Sequence, residues 1–172
     1  MMLNATSNNT PYHLQTLMQG KGLVFTKDEA GPLEGVINGE NGTWTVHIGT
    51  DEHMLTLLNL HPVRVPHAHF ETVTKVLNRM NSALKLGNWM LDEETRRIGF
   101  HVSIPLPTDE LSAAEQALGT ALLVSCHTFD DQLGRFVELM FSGKNTPGVN
   151  DWLRDQDELV SCGADRTRVD FN

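Results

Sequence analysis

Positive charge is scarce in this chain. Lys and Arg number 13 against 22 Asp and Glu, a formal net charge of −9. Neutralising a phosphate backbone or an anionic bilayer takes clustered cations, so nucleic acid and membrane surfaces are excluded as expected partners. Cysteine is nearly absent: Cys126 and Cys162 stand far apart, belong to no Cys-x-x-Cys pair and imply a reduced, cytoplasmic protein. Residues 1–20 contain no Lys, Arg, Asp or Glu, so the basic start of a secretory signal is missing. No run of 18 apolar residues exists, so no spanning helix is expected. Gly-x-Gly-x-x-Gly is also absent, and Gly20-Lys21-Gly22 lacks the spacing of a phosphate loop.

What is present suffices for a core without staples. The chain has 172 residues, 40% of them hydrophobic and 20% charged. A domain of that length buries about 70% of the surface its unfolded form exposes. The pattern divides into a polar leader over 1–9, one domain over 10–143 and a tail over 144–172. Thr10-Pro11 opens a short helix that carries Leu14, Leu17 and Met18 on one face. Period-two stretches follow at Leu23–Phe25, Leu33–Asn38, Trp44–Ile48 and Met54–Leu60. Asn41-Gly42 predicts a type I′ hairpin turn.

Pro66 opens a helix in which Phe70, Val73, Leu77, Met80 and Leu84 form a stripe, with Gly87 as its left-handed cap. Trp89–Leu91 and Ile98–Ile104 read as two further strands. Ser112-Ala113-Ala114-Glu115 is a capping box. It starts a rod of roughly 30 residues, about 45 Å at 1.5 Å each. A short helix capped by Asn150 follows in the tail. Consecutive antiparallel strands with flanking helices define an α+β layer fold with about five strands, in the order α-βββ-α-ββ-α.

Four pieces of this sequence carry a family resemblance. They are Val63-Arg64-Val65-Pro66, Asn78-Arg79-Met80-Asn81, Leu86-Gly87-Asn88-Trp89 with Asp92, and Phe100 to Leu106. In order and spacing they resemble the YbjN domain, a family labelled a candidate bacterial sensory transduction regulator. The resemblance implies a fold similar to type III secretion chaperones. It also implies a homodimer that presents apolar surface to a protein partner. It brings no catalytic residue.

Local chemistry agrees with a non-enzymatic reading. Ser125-Cys126-His127 are consecutive in a helix, where neighbours do not face one another. His67 and His69 lie two apart, about 200° round a helix, and no Cys or acid completes a zinc spacing beside them and His61. Asp92-Glu93-Glu94 and Asp130-Asp131 read as solvated charge, with no staggered calcium loop. Neither metal nor cofactor is expected. Asn78 and Asn81 sit poorly inside a helix, which points to backbone bonding or to partner contact. Trp44 and Trp89 are core residues unless exposed, in which case they mark a patch beside Leu14, Leu17 and Met18. The expectation is thus a protein-interaction module, chaperone-like or regulatory. The alternative is a small-ligand or metal-sensing regulator using the sheet face or the histidines.

Overall fold

A computed structural model of the chain describes residues 25–27, 32–50, 54–105 and 111–142. The leader, the helix expected over 10–20 with Leu14, Leu17 and Met18, and the tail helix lie outside the described residues. Alternating sequence in the first half becomes four strands: β1 (Phe25–Lys27), β2 (Leu33–Asn38), β3 (Thr43–Thr50) and β4 (Met54–Arg64). A 3₁₀ turn (His67–His69) leads into α1 (Phe70–Asn81). Strands β5 (Asn88–Leu91) and β6 (Arg97–Pro105) precede α2 (Leu111–Ser142), a rod of 32 residues. The strands form one antiparallel sheet in the order β1-β2-β3-β4-β6-β5. The α+β class read from the sequence holds, with six strands in place of about five.

Strand alternation gives the sheet two unlike faces. One face carries Leu33, Trp44, Val46, Ile48, Leu55, Leu57, Trp89, Ile98, Phe100 and Val102, all buried. The first half of α2 seals Leu33, Ile48, Leu55 and Leu57 with Leu118, Ala121 and Leu122. Its second half, together with α1, seals the tryptophans, Val65 and Phe100. Here Trp89 stacks on Phe129 at 5.7 Å and meets Phe136 edge-on at 4.9 Å. Such pairs add about 0.5–1.5 kcal/mol each beyond area burial.

Three local expectations change. Pro66 stays extended (φ −59°, ψ 143°), so the chain makes a 3₁₀ turn before α1 begins at Phe70. The helix ends at Asn81, because the Arg79, Met80 and Asn81 carbonyls accept from Ser82, Ala83 and Leu84 in tighter bonds. Leu84 therefore lies beyond the helix. Gly87 is left-handed (φ 78°) as expected, yet it turns the chain into β5 and caps no helix. Lastly, Asn41 has no positive φ, so the β2–β3 connection is not type I′. It is a four-residue loop, Gly39 to Gly42, closed by Gly39 N–H donating to the Gly42 carbonyl at 2.8 Å.

Candidate interaction surface

The second face of the sheet is built from the other half of each alternation. Register aligns Val36, Thr45, Leu60, Gly99 and Met90 in one row across β2, β3, β4, β6 and β5. The next row is Glu34, His47, Leu58, His101 and Asn88. Neither α1 nor α2 packs on this side, since both lie against the buried face. Leu58, Leu60 and Met90 lean over Gly99, where an added Cβ would lie 3.1–3.3 Å from all three. Val36 is 58% exposed. At the edge of this apolar band, Glu34 approaches His47 at 3.9 Å, and the Thr56, Ser103 and His101 side chains form a hydrogen-bonded string.

Arg64 and Arg97 stand directly opposite each other at the end of the β4–β6 ladder, on this same open face. Among the described residues neither guanidinium has an ion pair or a side-chain hydrogen bond. Like charges opposed on a ladder repel.

A smaller concavity lies on the other side, between the Gly39–Gly42 loop and α2. It encloses about 400 Å³ and is walled by Ile37, Glu40, Cys126, His127, Asp130 and Asp131. Asp130 is among its lining residues and is only 8% exposed. Its carboxylate accepts from the Glu40 N–H at 2.9 Å and the Asn41 N–H at 3.0 Å. The solvated role expected of Asp130 is thus corrected: it is the clamp of the loop, which the distance of ninety residues concealed in sequence. Its neighbour Asp131 is exposed and reaches His127 at 3.6 Å. Burial, then Asp130, push the Cys126 thiol up to about 11, so it is neutral and unreactive at physiological pH.

Of the residues marked for partner binding, Trp44 and Trp89 are 2% and 3% exposed and face the core. They present no surface, and the exposed-patch reading is corrected for both. Trp44 instead donates its Nε1–H to Asn59 at 2.7 Å, and Asn59 donates to Ser125 at 2.5 Å. This buried polar chain satisfies the Trp44 indole proton. Asn81 is bonded to the backbone of β5, through Trp89. Asn78 alone of the four described residues is exposed, on the outer side of α1. The surface residues the sequence reading missed are Val36, Leu58, Leu60 and Met90. Their signal is the apolar residues at the second phase of the alternation in β2, β4 and β5.

His61 is fully buried on β4, next to a register shift between Leu60 and Arg64. Nδ1 lies 3.0 Å from the Val63 N–H and 3.2 Å from the Val63 carbonyl, and Nε2 lies 3.4 Å from the Leu133 carbonyl. Desolvation is the main cause holding its pKa below the ordinary value, with a lesser contribution from Arg97. The ring is committed to the backbone on both sides. Among the described residues no three His, Cys, Asp or Glu side chains are grouped to hold a metal ion. Among them too, no helix is long and apolar enough to cross a membrane.

No family model and no curated protein matches this chain. Its fold is similar to that of a crystal structure described as YbjN, a candidate transcription regulator from E. coli. The TM-score is 0.55 and the identity 10%, over 70% of this chain and 85% of that one. The fold is YbjN-like. At that identity the likeness carries architecture alone.

Proposed function

We propose that this protein is a non-enzymatic interaction module, chaperone-like or regulatory, that binds an extended apolar segment of a protein partner on the open sheet face. The observation that carries the reading is the band of Val36, Leu58, Leu60 and Met90 on a six-stranded sheet whose two described helices pack on the other side. Val36 is exposed and Leu58, Leu60 and Met90 are half-buried, and apolar side chains left uncovered on a sheet face mark interaction sites. The Arg64–Arg97 pair at one end favours a segment with carboxylates beside its apolar residues. The reactive side-chain types are engaged structurally: His61 by backbone, Asp130 by the loop, Cys126 as a neutral thiol. That supports binding without chemistry.

Self-association belongs to the same proposal and uses a different surface. Leu123 and Phe141 are 71% and 61% exposed on α2. Eighteen residues are five full turns, so the two share one line along the rod, with Val137 beside it. This is the surface we assign to a homodimer. Sedimentation velocity tests it: a concentration-dependent dimer lost in Phe141→Lys is expected, and a monomer at every concentration overturns it.

The binding reading is tested by photo-crosslinking, with p-benzoyl-L-phenylalanine in place of Val36 on the open face or Arg135 on the outer side of α2. Capture of one discrete protein from native extract at the first position only is expected. Equal or absent capture at both positions overturns it. The cavity beside the Gly39–Gly42 loop supports a second reading, a small-ligand regulator. Native mass spectrometry that finds a stoichiometric small molecule would favour it over the first.

A further inference from the structure

We propose that the chain's own segment 151–160 docks in cis on the open sheet face, anchored by Arg64 and Arg97. The inference rests on reading the open face as a docking surface. Three observations name the occupant.

The first is where α2 ends. Its early residues Leu118 and Leu122 pack on Leu55 and Leu57, and its late residues Phe136, Leu139 and Met140 pack with Val65 and Ile98. The helix therefore runs parallel to β4 and ends beside the sheet end that carries Arg64 and Arg97. The second is length. Residues 143–150 extended at about 3.3 Å each reach roughly 26 Å, ample to round a sheet edge against layer spacings of about 10 Å. The third is chemistry. Residues 151–160 read Asp-Trp-Leu-Arg-Asp-Gln-Asp-Glu-Leu-Val, four carboxylates against one cation, with Trp152, Leu153, Leu159 and Val160. The face offers two opposed arginines, unpaired among the described residues, next to Leu58, Leu60 and Met90. Carboxylates there would relieve the repulsion across the ladder.

The test uses the purified full chain with p-benzoyl-L-phenylalanine in place of Val36 or, separately, Met90. Irradiation is expected to give an intramolecular crosslink, mapped by mass spectrometry to residues 151–160. Arg64→Gln/Arg97→Gln in the same chain is expected to cut its yield at least ten-fold with an unchanged circular dichroism spectrum. Should that pair disturb the fold, Asp155→Asn/Asp157→Asn must produce the same loss from the other side. Crosslinks at dimer mass would place a second copy's segment there and overturn docking in cis. So would crosslinks to other segments, or none. If these fail while Val36 still captures a partner from extract, the open-face reading stands and only the tail's role falls.

Discussion

Asn81 brackets Trp89: its Nδ2 donates to the Trp89 carbonyl at 2.9 Å and its Oδ1 accepts the Trp89 N–H at 2.7 Å. One amide side chain thus plays the part of a seventh strand along β5, the edge of the sheet. An unpaired edge invites association with other chains. The same bracket fixes the ring that stacks among Phe100, Phe129 and Phe136.

Replacing Asn81 therefore removes two bonds and frees an edge. Asn81→Ala is expected to lower stability by about 1–3 kcal/mol, and Asn81→Asp, which keeps only the acceptor, by less. Urea unfolding followed by tryptophan fluorescence measures both. A change below the scatter of the midpoint in Asn81→Ala would show that water replaces the bracket at no cost.

Asp130 holds the β2–β3 loop from the far side of the fold. Asp130→Ala is expected to cost about 1.5–3 kcal/mol, the range for bonds to a charged acceptor. Hydrogen exchange should localise the damage, with the Glu40 and Asn41 amides exchanging faster while β4 and β6 keep their protection. Uniform loss across the sheet would contradict a local clamp.

His61 couples stability to pH. Its folded pKa is lowered from 6.5 by burial, so the unfolded chain binds a proton that the folded chain does not. Stability is at its full value above about pH 6.5 and falls as the pH drops below it. One such proton is worth about 1.4 kcal/mol per pH unit at the steepest. Unfolding midpoints between pH 7.5 and 5 should decline, and His61→Gln should flatten the decline. The Asp92 carboxyl, held low chiefly by the Thr95 N–H, acts only at more acid pH, so the two windows separate.

Cys126 should resist alkylation. A thiol raised from 9.0 to about 11 carries about 100-fold less thiolate at pH 8. In a Cys162→Ser chain, iodoacetamide is expected to label Cys126 at least that much more slowly when folded than in urea. Equal rates would mean that the helix exposes the sulfur.

Much of the architecture was legible because burial imposes a period. Trp44, Val46 and Ile48 alternate, as do Ile98, Phe100 and Val102, and every one of them is buried. The long rod was visible in the spacing of Leu118, Leu122, Phe129, Leu133, Phe136 and Met140, all of them in the core. The candidate surface was harder to read. Leu58, Leu60 and Met90 are apolar like the core, and only the register across β4, β5 and β6 gathers them on one open face. Asp130 looked like surface charge beside Asp131, and nothing local tells that the Glu40 and Asn41 amides meet it.

Local sequence by itself determined which segments alternate with period two and which with 3.6, and hence the class of layers they can form. It also set the acidic balance that narrows the range of partners. Only the tertiary structure decided which face both helices would cover, which carboxylate would be consumed as a clamp, and that two arginines would stand opposed. The reason is physical: periodicity arises from neighbours a few residues apart, whereas faces, clamps and charge pairs arise from strand register and helix docking between residues tens of positions apart.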